Sequence, residues 1–261
     1  MQDEIVERRR WMDRQAPCVA RVLRMKNTQH PTEPPPVRGS WRAGETISFG
    51  GLADKGAGYM GYTERVGPSV LVLHEAYGLG PGTRAYVDRL AEEGFTALAP
   101  DLCGGQVAAD LEQARALGES LDVASTLKVV RAAAAHLTEN WHPRLGVVGF
   151  SLGAGLATRF VDEVERDATV AYYGYQRELV TPERWSGPLL GHFAAVDELH
   201  PLDEASDLFA ALAGAGHDVE WHRYEGTVPS FAHPDVLDAF DSDASELAWE
   251  RTIEALYYHL S

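Results

Sequence analysis
The chain has 261 residues, 45% hydrophobic and 24% charged, which is the make-up of an ordinary globular protein with enough length for one large core. A formal net charge of −16 argues against a nucleic-acid partner, which needs concentrated Lys and Arg. The Arg8-Arg9-Arg10 triplet lies among Asp3, Glu4 and Glu7 and reads as a solvated helix face. Two cysteines, Cys18 and Cys103, are too few for a disulfide framework, and no run approaches the ~18 apolar residues of a membrane span. With no apolar segment near Met1 either, the expectation is a cytoplasmic protein with no membrane partner.

Residues 1–42 read as an arm, with short amphipathic stretches around Trp11 and Val22 and a stiff Pro-rich linker from Pro31 to Pro36. From residue 43 to 261 the pattern is steadily α/β. Thr46–Phe49 and Tyr59–Arg65 look like a hairpin, and Ser69–Leu73 is a continuous apolar run suited to a central strand. Thr83–Glu93 has helical spacing and stops at Gly94; Phe95–Ala99 is the next strand, ended by Pro100. Leu111–Gly118 and Val123–Leu137 predict helices, and Leu145–Phe150 predicts a strand. Thr169–Tyr173, Leu189–Ala194 and Val219–Tyr224 then alternate with helical stretches at Leu208–Ala213 and Ser245–Leu260. Such interleaving implies a mostly parallel central sheet with helices on both faces.

The sharpest signal is Gly149-Phe150-Ser151-Leu152-Gly153, set between the strand Leu145–Phe150 and an Ala-rich helical pattern. Strand, G-x-S-x-G, helix is the context of a nucleophile elbow, which holds a serine on a sharp turn above a sheet. A serine hydroxyl is a weak nucleophile and needs a base, itself oriented by a third group. In chain order the acid should come next and the histidine last. Asp197 follows the strand Leu189–Ala194, whereas Glu198 should point away. His233 is the histidine in the loop after Val219–Tyr224; His222 lies inside that strand and reads as structural.

These stretches resemble the dienelactone hydrolase (carboxymethylenebutenolidase) family of the α/β-hydrolase superfamily. The likeness rests on Leu71-Val72-Leu73-His74-Glu75-Ala76-Tyr77-Gly78, on Ala97-Leu98-Ala99-Pro100-Asp101-Leu102, on the elbow, on Ala195-Val196-Asp197, and on Leu247-Ala248-Trp249-Glu250-Arg251-Thr252. The resemblance implies an α/β-hydrolase fold and cleavage of a small ester, lactone or thioester through an acyl-serine intermediate. It implies Ser151 as nucleophile, Asp197 as the acid, Glu75 as the glutamate that contacts the resting nucleophile, and the N–H groups of Leu152 and Ala76 as the oxyanion hole. Tyr77, Phe150 and Phe231, which flank these positions, are expected in the substrate pocket. No cofactor or metal is expected, since His192, His200 and Asp203 lack the spacing of a zinc set. The expected partner is a small-molecule ester or lactone, and the expected state a monomer or homodimer.

Three positions depart from the family pattern. Its catalytic histidine position is Pro229, and its two substrate-binding arginines fall on Gly105 and His233. His233 therefore has three readings: a displaced base, a polar substitute in the pocket, or an exposed structural residue. Loss of both arginines favours a neutral or bulkier acyl group. The alternative to an enzyme is a catalytically silent hydrolase-fold protein that binds a ligand. His74 is expected in the core, and Cys103 as a buried, inert thiol.

Overall fold
A computed structural model describes residues 41–50, 56–64, 66–159 and 165–261. The arm assigned to residues 1–42 lies outside the described residues up to residue 40. An eight-stranded sheet runs β1 (Trp41–Phe49), β2 (Gly56–Thr63), β3 (Ser69–Leu73), β4 (Thr96–Pro100), β5 (Leu145–Phe150), β6 (Ala168–Tyr172), β7 (Leu189–Ala194) and β8 (Val219–Tyr224), in spatial order β1-β2-β4-β3-β5-β6-β7-β8. The first hairpin joins antiparallel to β4, and every later pairing is parallel.

The helices are α1 (Pro81–Glu92), α2 (Leu111–Glu119), α3 (Val123–Asn140), α4 (Leu152–Arg159), α5 (Leu202–Gly214) and α6 (Ser242–Leu260). Side chains alternate along each strand, so one strand feeds two cores. Val70 and Val72 pack with Val87 and Leu90 of α1 and Leu256 of α6, whereas Leu71 and Leu73 pack with Val130 of α3 and Leu156 of α4. By the same alternation Phe150 and Tyr172 fall in the α1/α6 layer beside Val148 and Val170. That placement builds the cavity described below.

The elements match the expectation, with shifts that have physical causes. β2 starts at Gly56, and its glycines allow close approaches: a Cβ on Gly56 would sit 2.5 Å from the Phe49 ring of β1, and one on Gly58 would sit 2.5 Å from the Ala99 carbonyl oxygen of β4. Helix α1 begins at Pro81, whose fixed φ suits a first helical position. Helix α5 begins six residues earlier than expected, with Asp203 and Glu204 favouring its N-terminal dipole. Tyr173 is not the last residue of β6; it turns out of the strand at φ 37°. Among the described residues no helix is long and apolar enough to cross a membrane.

Candidate active site
Ser151 stands between β5 and α4 at φ 47°, a left-handed backbone conformation that costs a residue with a Cβ about 1–2 kcal/mol. The turn survives because its neighbours are glycines. A Cβ on Gly149 would lie 2.4 Å from the Gly153 carbonyl oxygen, and a Cβ on Gly153 would lie 2.1 Å from that of Leu73. The Ser151 N–H is fixed to the Tyr172 carbonyl at 2.9 Å, which locks the elbow onto β6. Leu152 opens α4, where a first-turn N–H has no partner within the helix. Ala76 follows the end of β3 in a tight turn closed by the Gly78 N–H on the Glu75 carbonyl at 3.1 Å.

β3 and β5 run parallel with Leu73 opposite Gly149. Two residues on, Glu75 and Ser151 therefore leave adjacent strand ends together. Glu75 is 2% exposed. Its carboxylate accepts from the Tyr173 hydroxyl at 2.5 Å and from the Ser230 hydroxyl at 2.7 Å. Both donors hold positive φ, 37° and 66°, so local strain sits at residues that grip this carboxylate. Burial first, and the Glu75 charge second, raise the Tyr173 phenol well above its ordinary value and keep it a donor. His74 fixes the same strand end from the other side. Its Nε2 accepts the Leu102 N–H at 3.1 Å, so Nδ1 carries the proton and donates to the Glu75 carbonyl at 2.6 Å. His74 is thus a fully buried neutral core residue, as expected.

Among the described residues no hydrogen bond or ion pair joins Ser151, Asp197 and His233 to one another. Asp197 accepts the N–H groups of Leu199 and His200 on Oδ1, both at 2.9 Å. Its Oδ2 is buried without a hydrogen bond, and the charged-type neighbour is His200, whose Nδ1 lies 3.7 Å away. The pairing of Asp197 with His233 is therefore not formed. His233 is 6% exposed; its Nδ1 accepts the Asp235 N–H at 3.3 Å, and its Nε2 is buried without a partner. The exposed structural role considered for His233 does not hold.

A cavity of about 170 Å³ lies between the sheet and the helices α1 and α6. Glu75 and His233 line it together with Phe150, Tyr172, Tyr86 and Trp249, and Arg89 joins them from α1. Of the three expected pocket residues, Phe150 is in the wall. Tyr77 instead touches the His233 ring, at 5.7 Å between centroids. Phe231 is a correction: it is 0% exposed and packs against Tyr173 and Tyr224, leaving its neighbours Ala232 and His233 to face the cavity. Tyr173, Tyr86 and Trp249 went unpredicted because long-range packing alone brings them here. Cys103 is buried, and burial pushes its thiol up to about 11, with Asp101 adding to the effect. Among the described residues no group of three metal-ligating side chains is placed to hold an ion.

The chain is similar to known proteins in sequence and in fold. A carboxymethylenebutenolidase of Pseudomonas putida is 26% identical over 202 residues, covering 72% of this chain and 85% of its own. A protein named usf, of Aquifex pyrophilus, is 29% identical over 222 residues, covering 80% and 96%. The structure of a dienelactone hydrolase-like promiscuous phosphotriesterase from metagenomic libraries shares the fold, with a TM-score of 0.72 at 23% identity, over 85% of this chain and 100% of the other. The model of the dienelactone hydrolase family matches residues 57–260, and this chain belongs to that family of α/β-hydrolases.

Proposed function
We propose that this protein hydrolyses a small ester, lactone or thioester through an acyl intermediate on Ser151. The observation that carries the reading is the elbow: Ser151 at φ 47° at the end of β5, beside the buried Glu75. In this reading the Ser151 hydroxyl attacks the carbonyl carbon, and the Leu152 and Ala76 amides receive the oxyanion. Such donors act on charge that develops only in the transition state; losing one typically costs about 10²–10³ in rate. The resting His233 ring accepts at Nδ1 and so carries its proton on Nε2. It cannot take another there while neutral, so the serine proton passes to the Glu75 carboxylate. The resulting acid protonates the leaving oxygen or sulfur. Water then repeats the sequence in reverse, giving up a proton to Glu75, releasing the acid and restoring Ser151.

A silent, ligand-binding protein is the second reading. Pro229 favours it, as does the Asp197 oxygen that faces His200 and no histidine of the last loop. A fluorophosphonate separates the two. Covalent labelling located on Ser151 by peptide mass, lost in Ser151→Ala together with turnover of short activated esters, supports the enzyme. A folded wild type that neither labels nor turns over supports the silent protein.

A further inference from the structure
The cavity has an aromatic wall and two buried polar groups without a partner, the Tyr86 hydroxyl and the His233 Nε2, of which the imidazole nitrogen lies on the loop that faces Glu75. Phe150 and Tyr172 stack at 4.6 Å, while Tyr86 meets Phe150 and Trp249 edge-on at 4.9 and 5.0 Å. Its volume of about 170 Å³ resembles that of an apolar protein cavity of roughly 150 Å³ that takes up benzene. One aromatic ring fits that space.

His233 supplies the polar contact. The Asp235 N–H occupies Nδ1, so Nε2 bears hydrogen, and this nitrogen is buried without a partner in a residue only 6% exposed. A buried donor left unpaired costs about 1–3 kcal/mol, which an incoming acceptor removes. Charge excludes an anion as that acceptor. Glu75 lines the same cavity. The cation of the wall, Arg89, is stacked on Trp249 at 4.0 Å and donates to both oxygens of Glu246.

We infer that the cavity selects substrates whose buried half is an uncharged aromatic ring bearing a hydrogen-bond acceptor, with His233 Nε2–H as the specificity-determining donor. The inference rests on the acyl-Ser151 reading and names its substrate class. A ring with no acceptor fills the same space and leaves the donor unpaired.

Methoxy and ethyl groups are nearly the same shape, but only methoxy accepts a hydrogen bond. The test compares methyl arylacetates and aryl acetates carrying methoxy or ethyl at each ring position, so that the ring is offered in either half of the ester. At one ring position kcat/KM for the methoxy substrate should exceed that for the ethyl substrate by about tenfold, the worth of one buried hydrogen bond. In His233→Phe the ratio should fall to about one, whatever the variant's absolute rate. Equal rates on the two substrates in the wild type overturn the inference, as does a preference that persists in His233→Phe. A second measurement needs neither turnover nor a variant. With ¹⁵N-labelled histidine, the His233 ring should report hydrogen on Nε2 and shift when the methoxy arylacetamide binds, but not the ethyl one. Hydrogen on Nδ1, or no response to either amide, also overturns it. Failure of the acyl-enzyme reading shows separately, as absent fluorophosphonate labelling of Ser151.

Discussion

Ser230 donates its hydroxyl to Glu75 across 155 residues of chain, at 2.7 Å, from a backbone held at φ 66°. The strand-end carboxylate and the last loop are thereby one unit. Hydrogen bonds to charged groups contribute about 1.5–3 kcal/mol, so Ser230→Ala should lower kcat/KM about tenfold or more by freeing Glu75. It should also destabilise the fold, because alanine keeps the strain and loses the bond. Ser230→Gly loses the same bond but tolerates positive φ, so its melting temperature should exceed that of Ser230→Ala, with activity equally reduced. Equal melting temperatures would show that the φ of Ser230 carries no strain.

Arg89 is the latent anion site of the cavity. Its pair with Glu246 is exposed, with the two side chains 41% and 56% accessible, and such pairs add at most about 1 kcal/mol to stability. Neutral esters should therefore be preferred in the wild type. Glu246→Gln should raise kcat/KM for an ester carrying a free carboxylate about three- to tenfold, with little effect on its uncharged counterpart or on the melting temperature. A parallel rise for both substrates would mean that Arg89 does not meet the carboxylate.

Much of this was legible in the sequence because it is local. The elbow announces itself through Gly149 and Gly153, whose missing Cβ atoms are required by carbonyls 2.4 and 2.1 Å away. Continuous apolar runs such as Ser69–Leu73 become fully buried parallel strands. The grip on Glu75 was not legible, since Tyr173 and Ser230 are 98 and 155 residues away and each depends on an unusual φ. Asp197 shows the opposite failure. It follows β7 as expected, but its own loop takes one carboxylate oxygen through the Leu199 and His200 amides, and the other oxygen is left buried without a hydrogen bond. Spacing alone does not reveal which way an acid turns.

Two buried histidines should make stability fall as pH drops from neutral. His192 is fully buried, with Nδ1 2.8 Å from the Tyr224 hydroxyl, which also accepts from the Arg251 guanidinium at 3.1 Å, and Nε2 3.0 Å from the Thr252 hydroxyl. Burial, with His222 and Arg251 adding to it, holds His192 well below the ordinary histidine value, and burial lowers His74 too. The unfolded chain binds these protons from about pH 6.5 downward while the folded one refuses them, so unfolding gains up to about 1.4 kcal/mol per ring per pH unit. Between pH 6.5 and 5.5, above the range of ordinary carboxylates, stability from urea unfolding should drop by about 2 kcal/mol. It should be flat from pH 7.5 to 8.5. A flat profile throughout would mean that both rings accept protons in the folded state.

Pro229 offers the most direct experiment on the catalytic base. The loop that carries it runs against the loop of Asp197: the Val196 N–H reaches the Thr227 carbonyl at 3.2 Å, and the Ala195 N–H reaches that of Tyr224 at 3.1 Å. Asp197 Oδ2 is buried there without a hydrogen bond. It is an acceptor in want of an imidazole N–H, and leaving such a group unpaired is costly. A histidine at 229 is expected to donate Nδ1–H to that oxygen and turn Nε2 toward the serine, which in the proposed mechanism is served by Glu75 alone. A positioned base contributes about 10²–10⁴ in rate, and an untuned site should capture the lower part of this. Pro229→His is expected to raise kcat/KM on short aryl esters about 10- to 100-fold. Asp197→Asn should erase that gain in the Pro229→His background yet change the parent little. A gain that survives Asp197→Asn would place the new histidine outside any pairing with Asp197. No gain at all would show that the loop holds residue 229 away from the elbow.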